Sequence, residues 1–165
     1  MKKSIDHLDS VVLGLNDALI ELTAVLAGLT LALQNTKLIA ATGLVTGIAA
    51  SLSMAASEYL SKKSENRQEK KPKQHPSHSA TRTGLTYIIT VLLLIFPFMI
   101  LSNPFYALSW AILNAIIIIF IFTYSTSKKS TFSKRFTEML ILSMGIALIT
   151  FFLGLLIRNW FNISV

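Results

Sequence analysis

The chain contains no cysteine, which excludes a disulfide framework and any thiolate-ligated metal centre. It is also short of charge: Asp, Glu, Lys and Arg make up 14 % of 165 residues against 53 % hydrophobic, and the mean hydropathy is +0.61. So little polar surface cannot cover a soluble globule of this size, and the composition reads as an all-α, polytopic membrane protein. Histidine is scarce, with three in the chain. No paired nucleophile and base, no glycine-rich phosphate loop and no His-rich cluster can be found, so an enzyme is not expected, and no soluble nucleotide-binding domain is present to drive an ATP-dependent pump. The net charge of +7 invites a nucleic-acid reading. The basic residues, however, fall in the gaps between apolar runs, where the positive-inside rule places them, and no nucleic-acid partner is expected.

What remains is five apolar runs, near residues 9–33, 38–60, 84–102, 105–125 and 138–158, each long enough for the roughly 20 residues that cross a bilayer core. Backbone groups in lipid must be satisfied within the segment, so the spans are helices of one transmembrane domain. Lys2 and Lys3 resemble the start of a leader, but acids in the first run argue for a true span. Ser4 or Asp6 is expected to open a short interfacial segment before it. Segment 61–83 is the one sizeable polar stretch, read as a cytoplasmic loop with seven Lys or Arg. The gap 126–137 carries Lys128, Lys129, Lys134 and Arg135. Putting both on the inside makes the N-terminus cytoplasmic and the C-terminus external. Pro97 interrupts the third span and is expected to kink it, while the fourth, with Asn114 as its one strongly polar interior residue, reads as a lipid-facing support.

The first run, LNDALIELTAVLAGL, places Asn16, Asp17 and Glu21 among residues otherwise suited to lipid. A charge at the bilayer centre costs about 2.5 to 3.5 kcal/mol on insertion scales, so an acid pair there points to function. Four residues apart, Asp17 and Glu21 share one helix face, able to converge on one cation or hold a proton between them. No Lys, Arg or His lies at matching depth in any span to neutralise them. The second run carries Met54 and Glu58 at the same spacing; thioether plus carboxylate suits a divalent transition metal better than Mg or Ca. At 1.5 Å per residue from the cytoplasmic edges of their helices, Glu58 sits about 3 Å deep, Met54 about 9 Å, Asp17 about 12 Å and Glu21 about 18 Å, a ladder of donors. Two blander readings compete: Glu58 pairs with Lys62 at the surface, and Met54 merely packs. The pair His75 and His78, in HPSH, reads as part of the polar loop rather than a ligand set, and His7 is isolated.

Small residues form two stripes. The second run has Gly43, Gly47, Ser51 and Ala55 at four-residue spacing, and the first has Ala24, Gly28 and Ala32. The turn Gln34 to Lys37 is so short that these two helices are antiparallel neighbours, so their faces should touch. One stripe can then pack within the subunit and the other form a homodimer. Met144, Gly145 and Gly154 in the fifth run are read as close packing, with Met144 also open as a further soft donor.

NDALIE with AGL in the first run, SMAASEYLSKKSE in the second and GIALITFFLG in the fifth resemble the vacuolar iron transporter family. The resemblance implies a five-helix protein that dimerises, with the metal path along the dimer axis lined by the first two helices, exporting Fe2+ and often Mn2+ from the cytosol by exchange with protons. It implies that Asp17 and Met54 bind the transported ion and that Glu21 and Glu58 match acids of prokaryotic members, hence a prokaryotic cytoplasmic membrane. No permanently bound cofactor is implied. Two departures stand out: Ala18 follows Asp17 where the family usually has glycine, and the segment between the second and third spans is too short and Lys-rich for a cytoplasmic metal-collecting domain. The competing function is a non-transporting membrane interaction or assembly protein whose acids are helix-packing contacts.

Overall fold

A computed structural model describes residues 2–68, 75–127 and 129–162, with side chains from 10–67, 75–127 and 130–162. Five helices run through it: α1 (Lys2–Leu33), α2 (Thr36–Gln68), α3 (Pro76–Ile100), α4 (Pro104–Thr126) and α5 (Lys129–Phe161). All five are long and apolar enough to cross a membrane. The turns follow local chemistry. Gln34 takes a positive φ of 48°, and the Asn35 side chain accepts from the Lys37 and Leu38 amides to start α2. Asn103 does the same for α4 through Phe105 and Tyr106, and Pro76 and Pro104 stand at the first helical positions of α3 and α4, where a missing N–H costs nothing.

The helices outrun the apolar runs, which corrects the expected boundaries. Segment 61–83 is mostly not a loop: α2 continues to Gln68 and α3 begins at Pro76, leaving only 69–74, with Pro72, outside the described residues. Likewise α5 starts at Lys129, so Lys134 and Arg135 are helical. Hydropathy marks where lipid ends, whereas Ser, Lys, Glu, Asn, Arg and Gln continue a helix into water. His75 is the N-cap position of α3 and His78 lies in its first turn, their rings 5.6 Å apart, rather than in a loop. The separate interfacial segment expected before the first span is instead continuous with α1; the side chains of Ser4, Asp6 and His7 lie outside the described residues.

The centre of the bundle is α1 and α3. Tyr87, Val91, Leu94, Ile95 and Phe98 of α3 are buried with Ala18, Leu19, Leu22 and Leu26 of α1 and Ala107, Ala111 and Ala115 of α4. α5 packs chiefly on α1, and α2 chiefly on α3, with only a lesser contact to α1. The α2 stripe therefore faces chiefly α3, with Gly43 also against α1. A Cβ at Gly47 would press into the Val91 side chain, Gly43 lies under Leu26 and Ile95, and Ser51 Oγ donates to the Gly84 carbonyl at 2.9 Å. Gly28 meets α5 instead, backbone to backbone, where a Cβ at Gly154 would collide with the Gly28 carbonyl. Gly28, Gly43, Gly47 and Ser51 are all intramolecular packing positions. Gly145 has open space around it, against the close packing expected.

Pro97 sits in the last turn of α3 and is buried. Its ring removes the amide that would bond the Leu93 carbonyl four residues back. Asn114 of α4 replaces it, Nδ2 donating to Leu93 O at 3.2 Å. The one strongly polar residue inside α4 thus completes the hydrogen bonding of its neighbour, which is more than the passive support expected.

Candidate metal site on the first two helices

α1 delivers its acids into the bundle because its packing faces leave them no route out. Ala18, Leu19 and Leu22 are fully buried beside them, while Asp17 and Glu21 are half-buried between the core and the open side. Glu21 is held: Tyr87 Oη of α3, completely buried, donates to Glu21 Oε2 at 2.6 Å. Asp17 has no hydrogen-bond donor or ion-pair partner among the described residues, and the neighbouring Asn16 Oδ1 is buried with none. An unpartnered carboxylate next to an unpartnered amide oxygen in lipid is costly.

Glu58 turns inward. It is 7 % exposed and accepts from Ser10 Oγ of α1 at 2.9 Å, while the Ser10 carbonyl accepts from Thr83 Oγ1 of α3 at 3.1 Å. Lys62 makes its ion pair with Glu65 at 3.0 Å, so the surface pairing of Glu58 with Lys62 does not form. Met54 is half-buried against the core. Its neighbours along α2, Ser51 bonded to Gly84 and Glu58 bonded to Ser10, fix its register against the other helices.

These contacts order the donors along the helices. Glu58 stands level with Ser10; Asp17 is seven residues, about 10 Å, further along α1, and Glu21 one turn beyond. Gly14 packs on Thr83 between the two levels, close enough that a Cβ there would strike the Thr83 carbonyl. The structure thus brings Asp17 and Glu21 together and sets Glu58 apart on its own hydroxyl partner. Among the described residues no three His, Asp or Glu side chains converge to hold a metal ion.

Three residues of this arrangement escape a reading of the sequence. Tyr87 had a signal: a phenol in an apolar span has to find a partner, and an acid at similar depth is the obvious one. Ser10 and Thr83 had none, because serine and threonine in membrane helices usually bond their own backbone, as Thr30 and Thr90 do here to Leu26 and Thr86.

None of the curated proteins compared with the chain matches it. Residues 8–75, which hold most of α1, all of α2 and all four candidate donors, do match the model of the VIT family. Over that stretch, less than half of the chain, this integral membrane protein is similar to the vacuolar iron transporter family.

Proposed function

We propose that the protein exports Fe2+ or Mn2+ from the cytosol in exchange for protons, through a path lined by Asp17, Glu21, Met54 and Glu58 of two copies. The observation that carries the reading is Asp17: a half-buried carboxylate in the first span, one turn from Glu21, with no donor or cation partner among the described residues. Packing accounts for Glu21 on Tyr87 and Glu58 on Ser10. It does not account for Asp17, which favours an ion site over the reading of the acids as helix-packing contacts.

Two carboxylates one turn apart repel when both are ionised, and a divalent cation or a proton relieves them. The two ligands then compete for one site. Metal binding releases protons, metal affinity falls as pH falls, and an inward proton gradient drives metal outward. Met54 adds a thioether that favours softer divalent ions, and Glu58 receives the ion at the cytoplasmic end once it leaves Ser10. Among the described residues a single copy does not gather three ionisable ligands. A second copy against the open side of α2, where Val45, Ala49, Leu52, Ser53 and Ala56 are exposed, supplies the remainder. The basic ends of α2 and α5 support an N-terminus in the cytosol and a C-terminus outside.

The test is metal flux in proteoliposomes under an imposed pH gradient, with proton release on metal addition measured in the same protein. Asp17→Asn should abolish flux, because an amide neither ionises nor carries a proton, and Glu21→Gln should leave weak flux with a flatter pH response. Proton release undiminished in the Asp17→Asn, Glu21→Gln double variant would place the coupling elsewhere.

A further inference from the structure

The turn between α4 and α5 takes no part in the acid path, yet it is the most elaborated feature at that end of the bundle. Four rings meet there as two parallel pairs. Phe120 and Tyr124 of α4 stack at 6.3 Å, Phe132 and Phe136 of α5 stack at 5.9 Å, and Phe132 stands nearly perpendicular to Phe120 at 5.6 Å and to Tyr124 at 6.1 Å. Phe120, Tyr124 and Phe132 line, with Ser127, a cleft of about 380 Å³. That is the size of a ligand site rather than of a packing defect.

Ser127 gives the cleft a polar end. Ser125 and Thr126 turn their hydroxyls back onto the Ile121 and Phe122 carbonyls, at 2.9 and 2.8 Å. Ser127 lies one residue past the helix; its amide closes the last turn on Thr123 O, and its hydroxyl is left buried with no partner among the described residues. A buried hydroxyl at the wall of a cleft, unsatisfied by protein, marks where a ligand's polar group belongs. Charge says which kind. Between residues 127 and 138 the sequence carries four Lys or Arg against one Glu, and that Glu138 is only 4.0 Å from Lys134. A cationic headgroup is repelled there and an anionic one attracted. Rings at the edge of a span, apolar on one side and facing the aqueous boundary on the other, accept an acyl chain.

We propose that this turn is a binding site for one anionic phospholipid, its acyl chain laid against Phe120, Tyr124 and Phe132 and its phosphate bonded by the Ser127 hydroxyl under the positive field of the turn. The site is independent of metal transport and is tested without it. Purified full-length protein in mild detergent is given phosphatidylglycerol or phosphatidylcholine, and bound lipid is read by native mass spectrometry alongside thermal stability. Phosphatidylglycerol should be retained in preference and should raise the melting temperature. Ser127→Ala should weaken its retention about tenfold, the worth of a hydrogen bond to a charged group, and remove the stabilisation. Without lipid the same variant should melt no lower than the parent, because the hydroxyl it deletes has no partner among the described residues. Phe132→Ala should lose retention as well, whereas Phe152→Ala, an exposed ring elsewhere on α5, should not. Equal retention of the two lipids, full retention in Ser127→Ala, or an equal loss in Phe152→Ala would overturn the proposal.

Discussion

Asn114 and Pro97 form a pair whose energies can be separated. Asn114→Leu removes the donor that reaches the Leu93 carbonyl at 3.2 Å, and Leu93 lies at a side chain 49 % exposed toward lipid, where no water replaces the lost bond. Interhelical hydrogen bonds of this kind average about 0.6 kcal/mol in membrane proteins and reach about 1.7, so a loss of about 1 kcal/mol is expected. In a Pro97→Ala background the restored alanine amide bonds Leu93 four residues back, and Asn114→Leu should then cost little. The double-mutant cycle should therefore show a coupling of about 1 kcal/mol, with the sign that makes Asn114 matter only beside proline. Trp110 is a convenient probe, since its ring meets Phe96 edge-on at 6.5 Å across the α3 to α4 contact. Reversible unfolding in mixed micelles, followed by its fluorescence, gives the four stabilities. If the two changes add to within about 0.3 kcal/mol, Asn114 is not the substitute for the missing amide and the reasoning fails.

Met54→Leu should keep the fold, at a cost below about 1.5 kcal/mol for a volume-conserving swap, and lose preference for softer divalent ions; unchanged selectivity in competition flux would make Met54 a packing residue. Tyr87→Phe should leave Glu21 without its donor and, by the usual cost of an unpaired buried acceptor, lower stability by about 1 to 3 kcal/mol, measured by the same unfolding assay. Cysteine at Ser77 should label with impermeant reagent only after the membrane is opened, and cysteine at Ser164 in intact cells; the reverse pattern inverts the topology.

The helical class and the number of spans follow from hydropathy because lipid leaves a chain no other way to satisfy its backbone. The candidate donors were legible for the same reason: Asp17 and Glu21 violate the composition around them. Partner choice between helices was not. Gly43, Gly47 and Ser51 say that some backbone comes close, and the short turn at Gln34 and Asn35 names α1 as the neighbour, yet the stripe packs chiefly on α3, with only Gly43 also against Leu26 of α1. Small residues specify a close approach without specifying to what, and the complementary surface, Val91 and Gly84, lies 44 residues from Gly47 and 33 from Ser51 in an unremarkable apolar run. The same limit hides Ser10 beneath Glu58, since a hydroxyl's partner depends on the register of two helices that the sequence spaces but does not align.

The extension of α2 and α5 beyond the apolar runs changes what an approaching ion meets. Each has 33 residues, about 50 Å of helix against a lipid core of about 30 Å, and the alternating direction of the helices brings the surplus of both to the side where α1 begins. Lys62, Lys63, Arg67, Lys134 and Arg135 are thereby mounted on rods at set heights around the mouth instead of being dispersed in a slack loop. They make a standing positive collar. A divalent cation feels such a field twice over in the Boltzmann exponent, so a potential of about one kT thins it at the mouth roughly sevenfold relative to bulk solution. On the proposed export of a divalent ion, such a collar works as an overflow valve, leaving transport idle while the ion is scarce and engaging it when it is in excess.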